Sequence, residues 1–303
     1  MRFTIFTIMV FAFLCVMGRQ PAVAQDTKEL KFNIQDVERR AILVNGNQCA
    51  RPTVIVLHGG KGNAERMRDR TEFYTLAVQE NFAVVFAEGT QWRGKSHAWN
   101  TGYLLRGQVG DADDISYFDK LIDILVQEHC ADPQRIYMTG ASNGAMMTLV
   151  YAVQRPKKLA AIAPVVGAMF SFDTVPSVPL PIMLINGAQD EEVPIEGGMS
   201  HNPMVKKAQM APYMPLAETV AFWVRVNHSR SVGLTTQKGT VTTTVYPATP
   251  KGAVTVSIVD AQGGHGWPGT GARVGSDNVP IQAFDGAEKV WSFFKKIDNT
   301  NLR

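Results

Sequence analysis

The chain has 303 residues, 45% of them hydrophobic and 19% charged, with a formal net charge of +3 at pH 7. That apolar share can build a core and excludes a disordered chain, a collagen-like repeat and a coiled coil. The length suits one large α/β unit, and the absence of any basic block argues against nucleic acid as a partner.

Met1 and Arg2 precede an apolar run from Phe3 to Met17, and Pro21-Ala22-Val23-Ala24 carries the small-x-small pattern cut by signal peptidase. Residues 1–24 therefore read as a signal peptide, and 25–303 as a single secreted or periplasmic domain. The apolar run falls short of the ~20 residues that span a bilayer, so no stable membrane anchor is expected. Cleavage removes Arg2 and Arg19 but no acid, so 30 basic residues become 28 against 27 acidic ones. Cys15 also leaves, and the remaining Cys49 and Cys130 are a pair of thiols in an oxidising compartment, where pairing is usual. Neither C-x-x-C nor H-E-x-x-H occurs, so no metal site is expected.

Residues 28–46 read as antiparallel opening strands. Buried strands are expected at 53–57, 82–86, 136–139, 182–185 and 254–259, each a short apolar run ending in Gly, Asn or Asp. Helical periodicity fills the gaps: Met67, Thr71, Tyr74 and Val78 share one face, as do Ile115, Phe118, Ile122 and Leu125, and finally Ala287, Val290, Trp291, Phe294 and Ile297. Such alternation predicts a mostly parallel sheet covered by helices on both faces, with ligands beyond the carboxyl ends of the strands. The Met-rich stretch 196–215 reads as a surface excursion before a helix over 218–226.

Gly140-Ala141-Ser142-Asn143-Gly144 is G-x-S-x-G between a strand and an apolar helix, the pattern of a nucleophile elbow. It makes Ser142 the candidate nucleophile and the Asn143 N–H, at a helix start, one candidate oxyanion donor. Leu57-His58-Gly59-Gly60 can supply the other donor, at Gly60. A serine needs a base, and the base needs a carboxylate. Asp190, after the strand at 182–185, and His265, in Gly264-His265-Gly266-Trp267, complete the order Ser…acid…His, with Glu191, Glu192 and Asp260 as competing acids and His201 and His228 as lesser bases.

Two other motifs have blander readings. Gly89-Thr90-Gln91-Trp92-Arg93-Gly94-Lys95-Ser96 matches the phosphate-cradling string G-x-x-x-x-G-K-S, but His97-Ala98-Trp99-Asn100 after it is a poor first helical turn. Its aromatics Trp92 and Trp99, with Tyr103, suit the wall of an organic-substrate cleft. Asp111, Asp113 and Asp114 lack the later Gly and Glu of a calcium loop and read as helix capping.

With these residues in place, the chain resembles the exported esterase family of polyhydroxybutyrate depolymerases and feruloyl or acetylxylan esterases. The likeness rests on Leu57-His58-Gly59-Gly60, Ala98-Trp99-Asn100, Asp113-Asp114-Ile115, the run from Arg135 to Met147, Glu218 to Trp223 and Gly264 to Pro268. It implies an α/β-hydrolase fold, a catalytic Ser142, His265 and Asp190, no cofactor, and Trp267 near the pocket. It also implies that the strands ending near His58 and Ala141 are neighbours, which sets Cys49 and Cys130 together as a disulfide at the far edge. Members often carry Cys after the His-Gly pair, where Gly60 stands here. The expected activity is hydrolysis of soluble feruloyl, acetyl or hydroxyalkanoate esters. The alternatives are a polyhydroxybutyrate depolymerase acting on polymer, a serine peptidase, a nucleotide-binding protein using the 89–96 loop, and a non-catalytic binding protein.

Overall fold

The computed structural model describes residues 27–271 and 278–300; the expected signal peptide lies outside them. In chain order the first half runs β1 (Thr27–Ile34), β2 (Val37–Val44), β3 (Thr53–Leu57), α1 (Ala64–Arg70), α2 (Phe73–Gln79), β4 (Ala83–Ala87), β5 (Thr90–Arg93), β6 (Ser96–Ala98), α3 (Arg106–Val109) and α4 (Asp114–Glu128). The second half runs β7 (Ile136–Ala141), α5 (Asn143–Gln154), β8 (Ala161–Val165), β9 (Ile182–Gly187), α6 (Pro203–Ala208), α7 (Leu216–Val226), β10 (Leu234–Lys238), β11 (Val241–Tyr246), β12 (Thr255–Asp260) and α8 (Gly286–Thr300).

Ten strands form one sheet in the order β1-β2-β4-β3-β7-β8-β9-β12-β11-β10. The six from β4 to β12 run parallel, and an antiparallel pair closes each side. The parallel strands are apolar throughout because both of their faces are covered. Ile55, Leu57, Val85 and Met138 face a core filled by Phe118 and Leu121 of α4, Tyr151 of α5 and Trp223 of α7. Val54, Val56, Val84 and Tyr137 face the opposite core, with Met67, Phe73 and Phe294 from α1, α2 and α8. This is the expected doubly covered α/β sheet, and each expected buried strand is present within two residues at either end.

Three departures have physical causes. The periodic face drawn through Met67 and Val78 is two helices, because Thr71 takes an extended conformation (φ −119°, ψ 145°) and its hydroxyl donates back to the Met67 carbonyl. α2 then buries Phe73 and Ala77 instead of Tyr74 and Val78. β8 is absent from the expected strands; its Pro164 lacks a ladder donor, which disfavours a central strand, yet it lies between β7 and β9, with Pro164 opposite Gly140. The hairpin β10–β11 is exposed along β10 and half-buried along β11, where Val241 and Val245 are too few among the threonines to announce a strand.

The disulfide expected from the resemblance is present: Cys49 and Cys130 are bonded just before β3 and β7, at the end of the sheet away from His58 and Ala141. The Ala50 N–H donates to the Cys130 carbonyl at 2.8 Å beside it.

Candidate active site

Ser142 sits between β7 and α5 with φ 56° and ψ −123°, a conformation that costs a non-glycine residue of order 1–3 kcal/mol. Its flanking glycines make the turn possible. A Cβ on Gly140 would lie 2.7 Å from the Gly144 carbonyl carbon and 2.8 Å from Leu57 Cβ, and one on Gly144 would lie 2.5 Å from the His58 carbonyl oxygen. The β7 strand, the α5 helix and the end of β3 therefore close on one another only where both positions lack side chains. The turn is held by the Ser142 N–H donating to the Val165 carbonyl at 3.0 Å, and it leaves Ser142 half-buried at a cavity wall.

His265 follows β12 and Asp190 follows β9, and these strands are parallel neighbours. His265 Nδ1–H donates to Asp190 Oδ2 at 2.8 Å, with both side chains almost wholly buried. The other Asp190 oxygen accepts the N–H groups of Glu192 (2.9 Å) and Val193 (2.8 Å), so the carboxylate is fixed by its own turn. Among the competing acids, Glu191 is exposed and offers its carbonyl to His201, while Asp260 accepts from the Gln262 N–H. Glu192 takes a place that chain order did not suggest: its Oε2 lies 3.3 Å from His265 Nε2.

Gly60 and Asn143 face each other across this site. A Cβ built on Gly60 would come within 3.7 Å of Asn143 Cβ, and among the described residues neither backbone N–H reaches a protein acceptor. The Asn143 side chain is fully buried and clasps Trp99, accepting from its N–H at 2.8 Å and donating to its carbonyl at 3.1 Å. Trp99 in turn donates its indole N–H to the His58 carbonyl at 2.9 Å. The His58 ring is buried too; Nδ1–H donates to the Gly59 carbonyl and Nε2 accepts from the Gly89 N–H at 3.0 Å. Burial lowers its pKa from 6.5 to about 4, so it stays neutral.

Two cavities of about 260 and 220 Å³ meet at Ser142. The first holds His265 and Trp267; the second is bounded by Trp92, Leu105, Asn143, Glu192 and Tyr213. Trp267 and Trp92 thus line the cleft as expected. Trp99 does not: it is fully buried against His58 and Phe118, because its polar groups are all committed to the loops around it. Tyr103 does not either; it is 43% exposed, rests on Phe170 and borders a separate surface depression. The 89–96 string cradles nothing: Thr90–Arg93 and Ser96–Ala98 pair as a hairpin, and no helix starts at Lys95. Residues that sequence reasoning passed over are Arg66 and Arg70, on one face of α1 at a spacing of four, and Gln108 and Tyr213. The first pair was legible as helical spacing; nothing local marks the second.

The model of the family described as Esterase PHB depolymerase matches residues 42–193, half of the chain, including the elbow and the acid. The chain belongs to the Esterase PHB depolymerase family. Over 232 residues it is 29% identical to NocK of Nocardia uniformis subsp. tsuyamanensis, to which that protein's name ascribes esterase activity; the match spans 72% of this chain and 66% of NocK. It is 28% identical to feruloyl esterase B of Piromyces equi over 188 residues, 59% of this chain and 33% of that enzyme. The chain thus matches between one third and about two thirds of the length of these curated relatives. Among solved structures, acetyl xylan esterase from Aspergillus awamori superposes with a TM-score of 0.59 over 88% of this chain and 99% of that one, at 15% identity, a likeness of fold. The α/β-hydrolase architecture of this Esterase PHB depolymerase family member is therefore common to chains with little sequence in common.

Proposed function

We propose that the protein is an exported serine carboxylic-ester hydrolase working through an acyl-enzyme, with Ser142 as nucleophile, His265 as base and then acid, and Asp190 as the partner that orients it. The observation that carries this is the meeting of a strained, solvent-reachable Ser142 with a histidine anchored on a buried carboxylate in one cavity. Asp190 on Nδ1 fixes the tautomer that leaves Nε2 to take the serine proton, and it stabilises the imidazolium that forms. The N–H groups of Gly60 and Asn143 are the donors for the carbonyl oxygen as it gains charge. His265 Nε2 then returns the proton to the leaving alcohol, and water releases the acid by the same route in reverse. In the resting molecule Nε2 faces Glu192 Oε2, and replacement of that neighbour by the donating Ser142 hydroxyl on substrate entry is the movement this mechanism requires.

The alcohol oxygen must lie where His265 can protonate it, so the alcohol group belongs to the cavity shared with His265 and the acyl group to the other. The acyl cavity mixes apolar and polar walls, and Trp92 Nε1, Gln108 Oε1 and Tyr213 Oη are buried there without a hydrogen-bond partner among the described residues. Unpaired polar atoms favour an acyl group that carries a hydroxyl, as feruloyl and hydroxyalkanoyl groups do, over plain acetyl. Export is supported by the disulfide, which persists in oxidising compartments.

Replacing Ser142 with Ala is expected to lower kcat on a p-nitrophenyl ester by about 10⁴-fold or more, and to abolish labelling by a fluorophosphonate. Residual activity near the wild-type level would overturn the mechanism. A screen of feruloyl, acetyl, short alkyl and 3-hydroxybutyryl esters measures the acyl preference, with higher kcat/KM expected for the hydroxylated groups.

A further inference from the structure

We propose that the cavity on the His265 side recognises a carboxylate on the alcohol part of the ester, so that the natural substrate is an ester whose leaving alcohol is itself an acid. This rests on the hydrolase mechanism proposed above and names its substrate class. Lys61, Arg66 and Arg70 line that cavity together with Ser142 and His265, and among the described residues bordering it there is no Asp or Glu. The three cations are exposed at its rim. Their neighbours do not neutralise them. Among the described residues the Arg66 guanidinium donates to the Lys61 carbonyl alone and none of the three cations forms a salt bridge, whereas Arg68, on the same helix but turned away, pairs with Asp69.

On the other side of the nucleophile the cationic excess is gone. Lys61 lines both spaces, and in the acyl cavity Glu192 matches it. The field across Ser142 therefore falls from cationic on the alcohol side to balanced on the acyl side, and it orients a substrate as well as attracting it. An arginine pair spaced four apart on a helix presents two guanidinium forks in one direction, which suits a planar carboxylate better than a neutral sugar or alkyl chain. His265 protonates the departing oxygen, so the alcohol leaves with its carboxylate as its one charge, and these cations act by holding that carboxylate in place.

The test compares kcat/KM for 4-acetoxybenzoate with that for its uncharged analogue 4-acetoxybenzamide, in low salt and in 0.5 M NaCl. Two exposed ion pairs together give a preference of about two- to thirtyfold for the anion at low salt, falling with added salt. In the Arg66→Gln/Arg70→Gln variant the ratio should approach one. Labelling of that variant by a neutral fluorophosphonate verifies that its site is assembled. An anionic acyl group, in 4-nitrophenyl hemisuccinate, should gain no preference over 4-nitrophenyl butyrate. A wild-type ratio near one, a ratio untouched by the double substitution, or a preference for the hemisuccinate overturns the proposal. Hydrolysis of the neutral esters without any anion preference would sink this inference alone; hydrolysis of none of them would sink the hydrolase mechanism and this inference with it.

Discussion

Trp99 is the residue whose part changes most between the chain and the fold. Its string, Ala98-Trp99-Asn100, sits among aromatics that look like a binding wall, yet the indole bridges the His58 carbonyl to the core and its backbone is clasped by Asn143. It positions the loop carrying Gly60 and does not touch the cavity. Trp99→Phe should therefore lower stability by about 1 kcal/mol, the worth of one hydrogen bond, and reduce kcat while leaving KM for a small ester close to wild type; a large rise in KM would restore the binding role. His58 supports the same loop and carries a pH signature. Burial holds its folded pKa at about 4 against an ordinary 6.5, so between those values the unfolded chain binds one more proton than the folded one. Stability from this group is complete above pH 6.5 and falls by about 3 kcal/mol as pH drops to 4. Denaturant titrations from pH 7 to 4 should show that slope in the wild type and a shallower one in His58→Gln, whatever the absolute stability of the variant.

At the scale of elements, the start of α4 ties strand β2 to the loop that carries Trp99. Asp113 caps the helix by accepting from the Ser116 N–H, as its place in the chain suggested. Asp114 does something else: it is 2% exposed, pairs with the buried Arg39 of β2 at 2.7 Å and accepts from the Asn100 N–H at 2.7 Å. Burial pushes its pKa up, while the Arg39 charge opposes that rise. The pair thus ties the edge of the sheet and the Trp99 segment to one helix end. Asp114→Ala leaves a buried guanidinium uncompensated, and a loss of about 3–5 kcal/mol in chemical unfolding is expected, against much less for Asp113→Ala. The same scale explains which elements were legible. β3, β4 and β9 are buried on both faces and so are written as continuous apolar runs, whereas Pro164 hides β8 and the Thr71 break hides the division of α1 from α2. A proline inside a strand and a single extended residue inside a helical period are tolerated because the surrounding layers hold them, which no local window records.

Across the whole molecule, the proposed active site lies at the carboxyl ends of β3, β7, β9 and β12, and the disulfide lies at the other end of β3 and β7. The bond closes an 81-residue separation, and its chief effect is on the unfolded chain. Cys49→Ser/Cys130→Ser should lower the unfolding free energy by about 2–4 kcal/mol with little change in kcat/KM, since the site is remote; non-reducing peptide mass spectrometry of the wild type should find the two cysteines linked. The amino-acid sequence by itself determined the alternating α/β pattern, the elbow around Ser142 and the order of the proposed nucleophile, acid and base. These depend on neighbouring residues: a period of two or 3.6, and two glycines that let a backbone close. Tertiary structure decided which carboxylate meets which nitrogen of His265, with Asp190 on Nδ1 and Glu192 beside Nε2. It also decided that Trp99 belongs to the core and that Arg66 and Arg70 stand beside Ser142. Those are relations between segments dozens of residues apart, and they exist only once strand pairing has brought the segments to one rim.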